Sequence, residues 1–402
     1  MVLGKKKLST AGFLGGLGGC LMAAMPVSAA VSDISGLAAG NPDVRSPMTL
    51  TRPVASSAPA LIAQSSSLSE ADEDRFNELL RQAQERVDDR DYRGAIGYYQ
   101  QALQIDRDNA RLYSGIGYLQ LQQGDYQLAV ENYRQAIERE PRNLPFRYGL
   151  AFSLFQAQQF EEAADVYREL IRMAPREADA HLGLGGVLLR TEDYDGALNA
   201  YEDLVRIAPG NAQAYEAIGM LYLQQERYDE ALSPLQRAQQ LDPNRGSVYA
   251  SLAQVWLDQG NIRQAEATLR EAIRLNPRTA VAQYELAEIL RTRGELNAAL
   301  SHYEEAAEAD PSLIPAQAAL GELLLQRGQY IRAMVAYRSI TRQLPTDAGA
   351  RYNLGLAQYG QGYTEEAIET VKYARRLYIR QDDTEGAARA QALLESWGVE
   401  VD

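Results

Sequence analysis

Seven prolines, at positions 141, 175, 209, 243, 277, 311 and 345, stand 34 residues apart with no insertion between them. A fixed period of this length decides the architecture before any local motif does, because each period must be one supersecondary unit that buries its apolar face against its neighbours. Other residues keep the same phase. Gly117, Ala151, Gly185, Gly219, Ala253, Ala287, Gly321 and Gly355 share one position of the unit, and Ala95, Ala129, Ala163, Ala197, Ala231, Ala265, Ala299, Ala333 and Ala367 share another. Small residues at two such places let neighbouring backbone segments approach closely. Proline then closes the unit, since it cannot continue a helical hydrogen-bond ladder and pushes the preceding residue out of helical geometry.

Nine units follow from this phase, beginning at Phe76, Ala110, Leu144, Ala178, Ala212, Gly246, Ala280, Ile314 and Ala348. The first and ninth carry Arg107 and Ile379 where proline is expected, and atypical end units are what a capped array requires. Beyond the ninth, Asp383 or Thr384 can cap a last helix with Ala387, Ala390, Leu394 and Trp397 on one face and Gly398 as its stop.

The small residue at the eighth position, the alanine at the twentieth and the closing proline resemble the tetratricopeptide repeat (TPR) family, whose unit is a 34-residue helix–turn–helix. The resemblance covers about three quarters of the chain. It implies an all-α fold: a right-handed α-solenoid, or superhelix, of about nine TPR hairpins, with an array over residues 73–381 and a capping helix and tail over 382–402.

The amino terminus reads differently. Lys5, Lys6 and Lys7 precede an apolar, Gly-rich run from Leu8 to Pro26 and a small-residue stretch ending in Ala29 and Ala30. This is the layout of a secretory signal over residues 1–30, cleaved after Ala29 or Ala30. Two other readings stand beside it. The run is close to the roughly 20 residues that span a bilayer, so it could persist as an anchor. Leu17-Gly18-Gly19-Cys20 is similar to a bacterial lipobox with Cys20 as the lipidated residue. In all three, the leading lysines hold that end in the cytoplasm and place the rest outside it, in the periplasm or beyond. The expectation is an exported bacterial TPR protein that meets a membrane only through an uncleaved or lipidated amino terminus. Residues 31–72, rich in Ser, Pro and Ala, read as a disordered linker.

Composition removes most chemistry. The 402-residue chain has one Cys, two His and a formal net charge of −14. Removing residues 1–30 would take the only Cys and three of the four Lys with it. No P-loop, His-Glu-x-x-His motif or EF-hand loop is present. Gly183-Leu184-Gly185-Gly186 lies inside a helical segment and follows no strand, which makes it a packing feature. His181 stands where other units carry Tyr and reads as a packing residue; His302 is expected to be exposed. Glu192, Asp193 and Asp195 fall on a solvated turn. The expectation is therefore no enzyme, no cofactor and no metal, and an acidic chain lacks the electrostatic footprint of a nucleic-acid binder.

In the TPR family the first helix of each unit (helix A) lines a concave groove, through positions 2, 5, 6, 9, 12 and 13. That implies a partner surface of Tyr118, Tyr148, Phe152, Phe155, Leu182, Met220 and Leu223 in the first half, followed by Tyr284, Glu285, Glu288 and Glu322. The first part would suit apolar side chains and the second a basic or polar segment. Position 12, which includes Phe155 and Leu223, can equally pack against the next unit. No unit pairs Lys at position 5 with Asn at position 9, so the carboxylate clamp of chaperone-binding TPRs is not expected. The reading is a non-catalytic scaffold or assembly factor outside the cytoplasm that binds a protein or peptide, with no small-molecule substrate evident. The alternatives are a membrane-anchored assembly protein of an envelope complex and, with little chain left to carry it, the targeting module of a glycosyltransferase-type enzyme.

Overall fold

The computed structural model describes residues 69–400, and the segment holding Cys20, Ala29, Ala30 and most of the linker lies outside the described residues. The described chain is all-α, with nineteen helices and no strand. It falls into two compact units, one ending at Gly260 and the other starting at Asn261.

The first unit holds α1 (Glu70–Asp88), α2 (Tyr92–Ile105), α3 (Ala110–Gln123), α4 (Tyr126–Arg139), α5 (Leu144–Gln156), α6 (Phe160–Met173), α7 (Ala178–Arg190), α8 (Tyr194–Ile207), α9 (Ala212–Gln224), α10 (Tyr228–Leu241) and α11 (Gly246–Asp258). The second holds α12 (Ile262–Leu275), α13 (Ala280–Thr292), α14 (Leu296–Ala309), α15 (Ile314–Gln326), α16 (Tyr330–Gln343), α17 (Ala348–Gly360), α18 (Thr364–Arg380) and α19 (Thr384–Ser396). Odd-numbered helices from α1 to α17 are the A helices. Even-numbered ones are the B helices.

Local chemistry sets these boundaries. Asn109, Asn143 and Asn211 cap A helices by accepting from the backbone amides of Leu112, Phe146 and Ala214, and Asp91 and Asp193 cap B helices through Gly94 and Gly196. Each such bond satisfies one of the orphan donors at a helix start. Between helices A and B, the same turn position is left-handed in all nine hairpins: Arg90, Gly124, Gln158, Glu192, Glu226, Gly260, Gly294, Gly328 and Gly362 all have positive φ. At Gln158 the turn closes as a Schellman motif, the Gln158 amide bonding to Phe155 and the Gln159 amide to Leu154.

B helices ahead of a proline end two residues before it, as at Arg139, Met173 and Ile207. Where Ile379 replaces proline, α18 runs to Arg380 and reaches 17 residues. Arg107 has no such effect, and α2 ends at Ile105. The first helix also departs from the periodic reading. It begins at Glu70, capped by Ser69, six residues ahead of Phe76 and within the stretch read as linker. An acidic first turn of Glu70, Asp72 and Glu73 suits the positive end of the helix dipole.

The core lies between hairpins. In the first unit Leu154, Tyr167, Leu170, Leu204 and Leu221 are fully buried in one cluster. Burying a side chain of this size contributes about 1.5–3 kcal/mol, so stacking supplies the stability that no hairpin has alone. Tyrosines on B helices fit against glycines on A helices. A Cβ at Gly185 would stand 2.6 Å from the Tyr201 ring in its own hairpin, and one at Gly183 would enter the Tyr167 ring of the preceding hairpin. Gly183 and Gly185 are thus explained by close approach, while a Cβ at Gly186 would meet nothing. The last helix, α19, is capped by Asp383 and buries Ala390 and Leu394. Trp397 beyond it stacks on Tyr359, the ring centroids 4.1 Å apart and nearly parallel.

Candidate functional site

A helices of successive hairpins touch one another within each unit, as α3 does α5, α9 does α11 and α15 does α17. Their shared side is where the sequence places a partner surface. In the first unit, Tyr118, Tyr148, Phe152, Phe155 and Leu182 are half-buried, each packed against a core cluster and each still reaching solvent. Phe155 also meets Phe160 edge-on at 5.6 Å between ring centroids, and the Arg190 guanidinium lies 5.4 Å from the Phe160 ring centre. Burial pushes the Tyr148 hydroxyl well above the usual tyrosine range, with the charges of Glu177 and Asp179 adding to it and the Ala180 backbone partly offsetting it. Tyr148 therefore stays a neutral phenol beneath an acidic rim.

Met220 and Leu223 do not belong to this surface. They are 8% and 4% exposed, Met220 inside the cluster formed with Leu189 and Leu221, and Leu223 among Leu235, Val248 and Leu252 of the following helices. Leu121 and Leu189, at the same position as Leu223, are buried as well. In these three hairpins position 12 packs against the next one, whereas Phe155 at the same position stays half-buried, and an unbranched methionine at position 9 is flexible enough to fold inward.

Glu216, at position 5 of α9, is more deeply buried than any of these at 1% exposure. Arg245 donates to one of its oxygens at 2.6 Å and Ser247 to the other. Arg245 is also held by Asp242 at 3.3 Å. Burial opposes the Arg245 charge, but the attraction of Glu216 outweighs it and raises the arginine further above its usual range. A position expected to face a partner here ties α9 to the turn entering α11. The available signal was a carboxylate at a position otherwise filled in the first unit by Leu, Ser, Tyr and Ala.

In the second unit, α13 brings Tyr284, Glu285 and Glu288 together. Glu288 accepts from Arg291 at 2.6 Å and from the Tyr303 hydroxyl of α14. The Tyr284 and Tyr303 rings lie 6.1 Å apart, tilted by 45°. Glu285 is partly buried, and burial first and the Glu288 charge second push its carboxyl up to about 7. Glu322, on the next A helix, is exposed. The arrangement offers one carboxylate already neutralised by arginine and a neighbour, Glu285, that shares no such partner.

Both histidines have structural surroundings. His181 is 5% exposed, its Nε2 3.2 Å from the Pro175 carbonyl. His302 is half-buried rather than exposed, because its Nδ1 lies 2.6 Å from the Gln283 side-chain oxygen; burial and then Arg270 lower its proton affinity. Asp193 caps α8, while Glu192 is the left-handed turn residue. Among the described residues no cluster of three His, Cys, Asp or Glu could hold a metal, and no helix is long and apolar enough to cross a membrane.

Stacked 34-residue helical hairpins with a shared A-helix side define an all-α repeat solenoid of the kind that serves generally as a scaffold for protein binding. The chain is a member of the tetratricopeptide repeat family. The tetratricopeptide repeat model matches residues 80–146, 115–169 and 318–382, and the model of the cilia and flagella-associated protein 70 C-terminal domain matches residues 148–344. No curated protein sequence matches the chain. Solved structures similar to it include a tetratricopeptide repeat protein from Parabacteroides merdae, 18% identical, covering 62% of this chain and 99% of its own with a TM-score of 0.49. Pseudomonas aeruginosa pilF is 24% identical over 50% of this chain and 92% of its own, with a TM-score of 0.46. YrrB, described as a TPR protein with an unusual peptide-binding site, is 22% identical over 47% and 98%, with a TM-score of 0.39.

Proposed function

We propose that this protein is a non-catalytic scaffold or assembly factor acting outside the cytoplasm, binding an extended or helical segment of a partner protein along its A helices. The observation that carries the reading is the row of half-buried Tyr118, Tyr148, Phe152, Phe155 and Leu182 on α3, α5 and α7, where consecutive helices leave apolar side chains in reach of solvent. Exposed apolar patches of this kind commonly mark interaction sites, and helical hairpin arrays accept peptides along such faces. In the second unit, Glu285 and Glu322 favour a basic side chain of a partner. The placement outside the cytoplasm rests on the sequence of residues 1–30 alone. A retained or lipidated form, which the lipobox-like Cys20 favours, would make the protein a membrane-anchored assembly factor of an envelope complex.

The test is affinity capture from the native host with the wild-type chain, a Tyr148→Ala/Phe152→Ala variant and a Glu285→Gln variant, each checked for retained helicity and melting. Specific partners should be lost from the first variant, and basic ones from the second. Partners held equally by all three would sink the A-helix proposal. Mass analysis of the native amino terminus separates cleavage at Ala29 or Ala30, lipidation at Cys20 and an intact start.

A further inference from the structure

The B helix α16 is the most basic of the described helices in an acidic chain, with three Arg and no Asp or Glu. No Asp or Glu occurs between Glu322 and Asp347, a span that holds Arg327, Arg332, Arg338 and Arg342. Residues 327–380 together carry nine Lys and Arg against four Asp and Glu, in a protein of net charge −14.

The arginines at two B-helix positions are paired elsewhere. Arg168 meets Asp165 at 2.9 Å, Arg206 meets Asp203 at 2.8 Å, Arg270 meets Glu266 at 2.9 Å and Arg274 meets Glu271 at 2.6 Å, each within one helical turn. At the corresponding positions of α16, Arg338 and Arg342 have no acidic residue on their own helix and meet no carboxylate among the described residues. They stand four residues apart, a spacing at which like charges repel and weaken a helix by a few tenths of a kcal/mol. The fold gains no visible return for that cost.

The same stripe carries exposed apolar residues. Ile331 and Val335 are 60% and 63% exposed, the highest values among the large apolar side chains described as exposed. Positions 331, 335, 338 and 342 follow the spacing that lines one helix face. The opposite face is spent on packing, with Ala333, Met334, Ala336, Tyr337 and Ile340 buried. In the next hairpin, Arg376 and Arg380 are exposed on α18 and again meet no carboxylate among the described residues.

We propose that this stripe of α16, with Arg376 and Arg380 of α18, is a second docking surface, independent of the A-helix site, and that its occupant is an acidic segment of a partner protein. The segment carries two apolar side chains one helical turn apart, followed by carboxylates. Charge complementarity selects an anionic occupant, and guanidinium groups engage carboxylates through paired, directional hydrogen bonds. The layout selects protein over membrane. A helix that lies in a membrane interface needs a continuous apolar face flanked by basic residues. Here two apolar residues occupy one end of the stripe and two arginines the other, which matches the ends of a peptide lying along it.

The experiment titrates the full chain into a fluorescein-labelled helical peptide with Leu at i and i+4 and Glu at i+7, i+8 and i+11, reading anisotropy at low ionic strength. An isomer with Lys in place of each Glu serves as the control, and vesicles of phosphatidylglycerol and phosphatidylcholine form a parallel arm. The acidic peptide should bind and the lysine isomer should not. Arg338→Glu/Arg342→Glu and Ile331→Asn/Val335→Asn should each weaken binding about tenfold or more without lowering the melting temperature, and salt should weaken it too. All these side chains are exposed, so a folding defect is not built into the variants. Absence of binding to the acidic peptide, equal binding by the Arg338→Glu/Arg342→Glu variant, or binding of vesicles alone overturns the proposal.

Discussion

Arg245 holds the carboxylate of Glu216 at 2.6 Å, joining the A helix of the fifth hairpin to the turn that begins the sixth. Removing one partner of a buried ion pair leaves the other desolvated and uncompensated, a loss of about 3–5 kcal/mol. Glu216→Ala should therefore lower the unfolding free energy in urea by about 3 kcal/mol, and Arg245→Met by a similar amount. The double variant Glu216→Leu/Arg245→Met should recover most of the loss, since an apolar pair replaces both charges. A loss under about 1 kcal/mol for Glu216→Ala would show that the pair behaves like a surface one.

Gly183→Ala tests the contact between hairpins. The added methyl would enter the ring of Tyr167, which is fully buried and has no room to yield. Overpacking of this kind costs about 1–3 kcal/mol. Gly186→Ala, one turn along the same helix with open space around it, is the matched control and should be neutral or slightly stabilising, because alanine favours a helix. Equal melting temperatures for the two variants would contradict the tight packing.

At Gln158, Glu192 and Glu226 the left-handed turn carries a side chain, with φ of 61°, 59° and 56°. An L-residue with a Cβ holds that conformation at a cost of about 1–2 kcal/mol, which glycine escapes. Gln158→Gly should raise stability by up to about 1 kcal/mol once its greater unfolded-state entropy is counted. Gly260→Ala should lower it. Thermal melts of the two variants must move in opposite directions for this account of the turn to stand.

Glu285 gives the fold a pH dependence of definite sign. Its carboxyl is raised from 4.5 to about 7 in the folded state, so between those values the native protein binds more protons than the unfolded chain. The stability tied to this group is complete below about 4.5 and is lost as pH rises through about 7. Replacement by Gln should flatten that segment of the stability–pH curve. Glu288→Gln should lower the Glu285 midpoint measured by NMR by removing a neighbouring negative charge. A Glu285 midpoint near 4.5 in the wild-type chain would dispose of both expectations.

The prolines and in-phase small residues made the hairpins legible, because sterics at those places act within a few residues. Helices beginning at Ala110, Leu144, Ala178, Ala212, Gly246, Ala280, Ile314 and Ala348 coincide with the periodic starts. What escaped depended on distant or missing neighbours. The early start of α1 follows from its Ser69 cap and acidic first turn, which the period does not encode. Met220 and Glu216 share the groove-facing pattern with Tyr148 and Phe152, yet a flexible side chain and an arginine 29 residues onward draw them inside. Pro234 was also silent in the periodic reading: it sits within α10, whose buried Ala231, Leu235 and Ala238 hold the helix together around it.

Tyr167 occupies the gap beside Gly183 of the following hairpin, while Tyr201 fills the one beside Gly185 of its own. An edit to this part of the chain therefore has to respect both the 34-residue period and the residue that fills each gap. Duplicating residues 178–211 would set a second Gly183 beside Tyr201, a ring against an equivalent gap, whereas excising them would bring Tyr167 against Ala217, whose Cβ fills that gap.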